Sequence, residues 1–247
     1  VVTDGSCRVS HGANSSCIVS ITVQRNMAPP VWIQYGLDPF YQNHPIYLSS
    51  GNKQGAWTEL TGQWLPQNER PARCKPNSTR VNTDGENIFP CGLQANSLFN
   101  DSFEILGPER VAAKGISSVR IALEEDVARF RNPTDYGQPG VSWLSNRYPG
   151  LATKGSLSEH FMVWMRPQAL PKLRNLYGYL HVPLFAGETL QVKINANFPV
   201  DVLGVKKELV LTTEDALGGR QGTSFAIFLA FAGAMSWTAA AAIGGIQ

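Results

Sequence analysis

The sequence lacks the basic runs and the compact ligand motifs that mark many nucleic-acid-binding and metal-binding proteins. Its 247 residues carry 21 Lys and Arg against 19 Asp and Glu, scattered along the chain, for a net charge of +2. Without a block of cations to follow a phosphate backbone, nucleic acid is not an expected partner. The cysteines form no Cys-x-x-Cys pair and the histidines no His-x-x-x-His or HExxH pattern, so no metal site is predicted.

Signatures of catalysis are also missing from the sequence. No G-x-S-x-G segment presents a serine nucleophile, and the glycines within residues 216–222 lack the GxGxxG or GK[ST] spacing that cradles phosphate. The run Glu124, Glu125 and Asp126 is interpreted as solvated acids at an exposed strand end rather than as a cation site. The sequence therefore predicts a protein that is not an enzyme and that needs no cofactor.

Four cysteines lie as two pairs that are close in sequence: Cys7 with Cys17, and Cys74 with Cys91. Four cysteines allow three pairings, and these two bonds would each close a short loop, as suits an oxidising compartment. Four buried free thiols in a cytosolic protein are the alternative.

Three Asn-x-Ser/Thr triplets help to choose between an oxidising compartment and the cytosol, because such triplets accept N-linked glycans only in the secretory pathway. They occur at Asn14 (NSS), Asn77 (NST) and Asn100 (NDS). Their positions near the paired cysteines favour a lumenal or extracellular location for this part of the chain.

The C-terminal stretch from Thr223 to Ile246 contains no charged residue and no proline. At about 1.5 Å rise per residue, a helix of this length would cross a hydrocarbon core of roughly 30 Å. We predict a transmembrane helix over residues 223–247; a buried alanine-rich core helix is the alternative. Small side chains recur at every fourth position and would let another helix approach closely. They are Ala226, Ala230, Ala234, Thr238 and Ala242.

Alternation of apolar and polar residues dominates the chain before position 223, and it is clearest in ETLQVKINANF, residues 188–198. This pattern predicts a half-buried antiparallel strand. Shorter runs predict further strands at 17–23, 31–35, 119–123 and 206–213. A short helix is predicted to begin near Pro171, because Leu170, Leu173, Leu176 and Tyr177 follow helical spacing.

The segment between Leu37 and Gly115 is rich in Asn, Gln, Ser, Gly and Pro, so we expect long loops there, pinned by a bridge between Cys74 and Cys91. The predicted fold class is therefore mainly β. We expect an antiparallel β-rich outer domain over residues 1–222, followed by one transmembrane helix over 223–247.

Aromatic residues cluster in VWIQYGLDPFYQNHPIY, residues 31–47. Most of them are expected to fill a β-sheet core, with Gln42 or Asn43 as partners for the tyrosine hydroxyls. A contact surface is the alternative. The aromatic positions are Trp32, Tyr35, Phe40, Tyr41 and Tyr47.

Five segments, in this order, resemble the signatures of the cell-division-control-protein-50 / Lem3 family. They are QYGLDPFYQNHPIY (34–47), IFPCGLQANSLFNDSF (88–103), RFRNP (129–133), EHFMVWMRPQALPKLRNLYG (159–178) and NFPVDVLGVKKELVLTTEDALGGRQG (197–222). The members of that family are accessory β subunits of type IV P-type ATPases, the phospholipid flippases. The resemblance implies a non-catalytic subunit that escorts the ATPase α subunit out of the endoplasmic reticulum and supports its transport cycle as a heterodimer.

The resemblance also implies two membrane helices around a disulfide-bonded, glycosylated exoplasmic domain, so that a first helix is expected before Val1. The protein would then reside in the endoplasmic reticulum, Golgi, endosome or plasma membrane, with lipids around its helix and N-linked glycans on its domain. In this interpretation Cys91 bonds to Cys74 and Asn100 carries a glycan. The segment GLQANSLFND lies near the partner-facing side or is internal scaffold.

Residues of these motifs and of the membrane helix are the candidates for partner contact. They are Tyr41, Asn43, His44, Asn96, Asn100, Arg166, Arg220, Ala226, Ala230 and Ala234. Two departures from the family pattern bear on partner identity: Pro45 and Ile46 replace two arginines, and Arg220 with Gln221 replaces Lys-Asn. Alternatives to the flippase subunit are a structural subunit of a different membrane assembly, or a glycan- or lipid-binding surface protein that uses the aromatic segment at 32–47.

Overall fold

The computed structural model describes residues 15–51, 59–63 and 85–213, and antiparallel sheets dominate these ranges. One three-stranded sheet has the order β1-β7-β4, and a second has the order β6-β2-β8. A short parallel pair, β3 with β5, stands apart from both. The strands are β1 Ser15–Thr22, β2 Val31–Asp38, β3 Asn87–Phe89, β4 Ser102–Gly107, β5 Val141–Trp143, β6 Leu173–Leu180, β7 Thr189–Ala196 and β8 Lys206–Thr212.

The sequence correctly predicts four of these strands, three of them by apolar alternation. In β7, Leu190, Val192 and Ala196 are buried while the residues between them are exposed or half-buried, because successive side chains point to opposite faces of a sheet. Strands β1, β2 and β8 confirm the predictions at 17–23, 31–35 and 206–213. The prediction of a mainly β fold with antiparallel sheets is thus confirmed for the described residues.

Helices are short throughout the described ranges. They are α1 Pro45–Gly51, α2 Leu93–Asn96, α3 Glu109–Ala112, α4 Glu124–Arg129, α5 Leu144–Arg147, α6 Glu159–Trp164 and α7 Val200–Leu203, with one 3-10 turn at Gly155–Leu157. None of these helices is long and apolar enough to cross a membrane. The predicted transmembrane helix at 223–247 lies outside the described residues, and so does the proposed boundary at residue 222.

The strand predicted at 119–123 is wrong. The backbone N–H groups of residues 120–122 donate to the carboxylate of Glu159, at distances between 2.6 and 3.0 Å, instead of to a neighbouring strand. Arg120 also has a positive φ of 62°, which a continuous strand does not accommodate. The segment is therefore a turn wrapped around one carboxylate.

The helix predicted near Pro171 is also wrong, because that segment leads into β6. Strand β6 pairs with β2 along its length, and most of its residues are buried on both faces. A strand that is buried on both faces has no clean alternation, so Leu173, Leu176 and Tyr177 fit helical spacing by coincidence.

Two further expectations need correction. Glu124, Glu125 and Asp126 begin helix α4 rather than end a strand, and Asp126 is buried. Residues 37–115 contain α1, α2, α3, β3 and β4, so the described part of this segment is more regular than the predicted long loops.

Both large sheets contribute to one hydrophobic core. The loops that connect their strands gather at two ends of the domain. At one end, the connections 23–30 and 181–188 lie side by side and β8 finishes at Thr212; we call this the connection end. At the other end, β2 finishes at Asp38 and β8 begins at Lys206. Segments 38–50, 91–101, 164–172 and 197–207 meet there, and we call this the motif end.

Candidate functional site

The motif end is built around aromatic rings from segments that are far apart in sequence. Phe198 lies 5.4 Å from Phe99 and 6.1 Å from Phe40, measured between ring centroids, and Trp164 lies 5.6 Å from Phe40. Tyr35 stacks on Phe99 at 3.9 Å. Four of the five family-like segments thus converge in one aromatic cluster, which explains why aromatic residues recur in each of them.

Buried amides connect the same segments around the rings. The side chain of Gln42 is fully buried; its Oε1 accepts the backbone N–H of Gln168 at 2.9 Å, and its Nε2 donates to the Tyr47 hydroxyl at 3.4 Å. Tyr47 also shares a hydrogen bond with Ser97. Burial raises the pKa of Tyr47 to about 12, so the hydroxyl stays protonated. These contacts confirm that Tyr35 and Tyr47 belong to the core and that Gln42 serves a tyrosine hydroxyl.

Gln94 forms a second amide link. Its Nε2 donates to the Met165 carbonyl at 3.0 Å and its backbone N–H donates to Ser50 Oγ at 3.0 Å. Its backbone carbonyl accepts the indole N–H of Trp164 at 2.8 Å. Gly92, two residues before Gln94, has a φ of 94°, and a Cβ there would lie 2.6 Å from the Ser50 carbonyl oxygen. Glycine is required at this point because α1 and α2 approach so closely.

Asp101 is the electrostatic centre of the motif end. It is buried, and its Oδ1 accepts the backbone N–H groups of Asn197 at 2.7 Å and Phe198 at 2.6 Å. Its Oδ2 receives the ammonium group of Lys207. One carboxylate therefore holds the turn after β7 and the start of β8 against the segment before β4.

Two buried acids outside this centre hold a backbone N–H and a guanidinium. Glu59 is fully buried and accepts the N–H of Cys91 at 2.9 Å. Asp126 is likewise buried and binds the guanidinium of Arg166 through both oxygens. That contact raises the pKa of Arg166. Sequence reasoning missed Glu59, Asp101 and Gln94; the signal was the placement of single acids and amides inside otherwise apolar motif segments.

Above this interior, the surface of the motif end carries several of the predicted contact residues. Tyr41 is 58% exposed and Ile46 50%, on the segment that leads into α1, and Leu170 is 70% exposed. Asn43 joins the two segments, because its Nδ2 donates to the Ala169 carbonyl at 2.9 Å. We call Tyr41, Asn43, His44, Ile46 and Leu170 the exposed patch.

The other predicted contact residues are divided between interior and surface. Asn96 uses its Nδ2 within its own turn, on the carbonyls of Gly92 at 2.7 Å and Pro90 at 3.2 Å. Asn100 is half-buried, and its Oδ1 is buried without a hydrogen-bond partner. Arg166 is exposed beside the patch but is bound to Asp126.

The remaining predicted site residues lie outside the described ranges. They are Cys7, Asn14, Cys74, Asn77, Arg220, Ala226, Ala230 and Ala234. Cys17 and Cys91 are each disulfide-bonded. The pairing of Cys7 with Cys17 and of Cys74 with Cys91 stays a prediction.

A cavity of about 400 Å³ lies between β4 and β6, away from the exposed patch, and is lined by Phe103, Glu104, Ser118, His160 and Tyr177 among others. Burial lowers the pKa of His160 to about 4, so the cavity offers a neutral imidazole rather than a cation. No group of three or more His, Cys, Asp or Glu side chains is placed to hold a metal ion within residues 15–51, 59–63 and 85–213.

Comparison with known proteins connects this arrangement to one family. The family model described as LEM3 (ligand-effect modulator 3) family / CDC50 family matches residues 6–246. Relatives include ALA-interacting subunit 3 of Arabidopsis thaliana, 32% identical over 209 residues, which covers 83% of this chain and 56% of the relative. Cell cycle control protein 50A of Bos taurus is 31% identical over 235 residues, with 83% and 60% covered.

A third relative is the phospholipid-transporting ATPase accessory subunit CDC50 of Chaetomium thermophilum, 29% identical over 240 residues, with 88% of this chain and 56% of the relative covered. The chain thus spans between 56% and 60% of the length of these three proteins. Since the family model matches nearly all of the chain, the protein belongs to the LEM3 / CDC50 family.

Proposed function

We propose that this protein is a non-catalytic accessory subunit of a phospholipid-transporting P-type ATPase of type IV, which it binds as a heterodimer. The match to the family over residues 6–246 carries the proposal, and the relative from Chaetomium thermophilum is named for such a role. ATP hydrolysis and lipid passage belong to the α subunit. The accessory subunit supports its folding, its export from the endoplasmic reticulum and its transport cycle.

The motif end suits a subunit that acts by holding a shape. Its buried polar groups are engaged in fixing backbone: Asp101 holds two N–H groups and an ammonium, and Gln42 joins two segments. Such a network gives a rigid support for exposed side chains, because Asp101 and Gln42 are each held by partners on distant segments. We assign the contact with the α subunit to the exposed patch that this support carries.

The departure at Pro45 and Ile46 bears on which α subunit is bound. Pro45 begins α1, where its fixed φ is favourable, and Ile46 projects into solvent where two arginines are common in the family. The patch therefore offers apolar contact in place of two positive charges. We propose that it fits an α subunit whose facing surface is less acidic than those bound by the arginine-bearing members.

The setting that goes with this function is a membrane of the secretory pathway. We propose that the β-rich domain faces the lumen or the exterior, anchored by the helix at 223–247, and that the Cys7–Cys17 and Cys74–Cys91 bridges form there. Asn14, Asn77 and Asn100 are the proposed glycan acceptors. At Asn100, mass spectrometry of glycopeptides before and after enzymatic deglycosylation would test the assignment directly.

The decisive experiment is to solubilise native membranes in mild detergent, capture the full-length protein and identify its companions by mass spectrometry. A P-type ATPase at a one-to-one ratio is the expected result. A stable assembly without any P-type ATPase would overturn the proposal and favour a structural role in another membrane complex. A glycan receptor that uses the aromatic segment is less favoured, because Tyr35 and Tyr47 are buried.

The exposed patch is tested in the same preparation. Replacing Tyr41 and Leu170 by Ser should lower the yield of co-purified ATPase several-fold, since hot spots are enriched in exposed aromatic and apolar anchors. Replacing Ile18 and Val119 by Ser is the matched control, because they are 58% and 61% exposed and lie outside the four segments of the motif end. Equal yields from the two double variants would remove the patch from the interface.

A further inference from the structure

Arg147 is a half-buried arginine at the end of helix α5, and no carboxylate within residues 15–51, 59–63 and 85–213 binds it. Its Nη2 donates to the Phe89 carbonyl at 2.9 Å, and its guanidinium carbon lies 5.8 Å from the centre of the Tyr148 ring. Its Nε is buried and has no hydrogen-bond partner. One neutral carbonyl and one ring thus serve a group that carries a full positive charge and several N–H donors.

Three other arginines of the described ranges are bound by acids, although all three are more exposed than Arg147. They are Arg110 with Glu188, Arg166 with Asp126 and Arg174 with Glu208. Burial lowers the pKa of Arg147 to about 10, whereas contact with Asp126 raises the pKa of Arg166. Arg147 therefore stays charged at neutral pH and is desolvated without a compensating anion.

The surroundings of Arg147 are well packed. Strands β3 and β5 pair in parallel, and the rings of Phe89 and Trp143 at their ends lie 5.4 Å apart. Helix α5 follows at once, with Leu144 fully buried. A guanidinium that is already positioned by such neighbours loses little further freedom when it binds a ligand.

Arg147 borders the motif end. Phe89, which accepts its hydrogen bond, lies two residues before segment 91–101 of that end. The hydroxyl of the next residue, Tyr148, donates to the Asn96 carbonyl within this segment at 3.0 Å. The charge without an anion thus adjoins the end of the domain to which we assign the contact with the α subunit.

We propose that Arg147 is the receptor for one carboxylate, from an aspartate or glutamate of the α subunit. This inference rests on the proposed function. A guanidinium binds a carboxylate through two parallel hydrogen bonds, and Nε together with one Nη forms an edge that can do so. Reaching the buried Nε takes a rotamer change, which is common at interfaces.

The energetics favour a partner at this position. A carboxylate would give the Nε–H an acceptor and would offset the desolvation of the charge. The site needs a single acid rather than an acidic surface. It is therefore compatible with the apolar contact that we propose for Ile46, where the family commonly has arginine.

Arg147→Gln separates a receptor from a residue that only serves the fold. In the full-length protein purified alone, Tm should fall by no more than about 3 °C, because the change removes a desolvated charge along with one hydrogen bond. In the capture from native membranes, the yield of co-purified ATPase should fall about tenfold or more. The matched control is Arg25→Gln, at an exposed arginine of the connection end, which should leave both quantities unchanged. A large loss of Tm in the isolated Arg147→Gln protein would overturn the proposal.

Arg147→Lys identifies the acid. The lysine keeps the positive charge and supplies an amine that a carbodiimide couples to a carboxylate in contact with it. We expect mass spectrometry of the captured complex to find an amide bond between residue 147 and an aspartate or glutamate of the ATPase. The control, Arg25→Lys, should give no such bond. If the ATPase is present and residue 147 couples only to this same chain, or to nothing, the proposal is wrong.

The outcomes separate this inference from the proposed function. If a P-type ATPase co-purifies equally with the wild type and with Arg147→Gln, the receptor is wrong and the accessory-subunit role stands. If no P-type ATPase is captured and residue 147 couples to an acid of another protein, the receptor stands and the role falls. If residue 147 forms no cross-link while inorganic phosphate raises the Tm of the wild type but not of Arg147→Gln, the ligand is a phosphate and the assignment to a carboxylate is overturned.

Discussion

Asp101→Asn tests whether the motif end depends on a single buried charge. The asparagine carbonyl could still accept the N–H groups of Asn197 and Phe198, so the substitution mainly removes the partner of Lys207. That ammonium is mostly buried, with 16% of its side chain exposed. Breaking a buried ion pair by neutralising one member costs about 3–5 kcal/mol, since the other charge stays desolvated.

For a domain of this size, each kcal/mol shifts the melting temperature by about 2–4 °C. We therefore expect Asp101→Asn to lower the Tm of the purified full-length protein by roughly 10 °C in a thermal unfolding assay. The variant keeps the Asn-x-Ser triplet at Asn100, so a change in glycosylation does not complicate the comparison.

The matched control is the pair formed by Glu104 and Lys193, 3.3 Å apart on the neighbouring strands β4 and β7. Their side chains are 59% and 38% exposed, so Glu104→Gln should change stability by less than about 1 kcal/mol. If Asp101→Asn and Glu104→Gln shift Tm equally, the buried charge does not organise the motif end. A double Asp101→Asn, Lys207→Gln variant that recovers part of the loss would support the coupling.

Two further predictions concern stability in the same assay. Burial holds the pKa of His160 near 4, below its usual 6.5, so the unfolded chain takes up a proton first and stability falls as the pH drops from 6.5 towards 4. The full loss is about 3 kcal/mol, and His160→Gln should remove this part of the pH dependence. Gly92→Ala should destabilise by roughly 2 kcal/mol or more, because its Cβ would meet the Ser50 carbonyl; Gly85→Ala, with a φ of 82° and open space around it, should cost only about 1 kcal/mol.

Glu104 and Glu159 lie near His160 and are themselves titratable, so the effect of the imidazole is the difference between wild type and His160→Gln at each pH, measured by thermal unfolding. Parallel curves between pH 7 and 4.5 would mean that the imidazole is solvated. For the glycines, equal Tm losses at positions 92 and 85 would mean that the α1–α2 contact is loose enough to absorb a methyl group.

Local patterns predicted the parts of the fold that depend on one residue's neighbours along the chain. Alternation found β1, β2 and β7, because each has one largely buried face and one more exposed face. Strand β8 was found from its apolar run, whose buried residues Leu209 and Val210 are consecutive. Alternation failed at β6, which is buried on both faces, and at 119–123, where one carboxylate takes the N–H groups that a strand would have used. Sequence periodicity cannot reveal burial on both faces or capture by a distant carboxylate, because both depend on what packs against the segment.

The amino-acid sequence by itself determined the mainly β class, the membership of the family and the choice of residues for the interior of each alternating strand. Only the tertiary structure decided which polar residues are buried. Asp101 meets residues almost one hundred positions away, and Gln42 meets Gln168 over a similar span. The physical reason is that a buried carboxylate or amide is tolerated only where donors or acceptors converge on it, and that convergence is created by packing between distant segments.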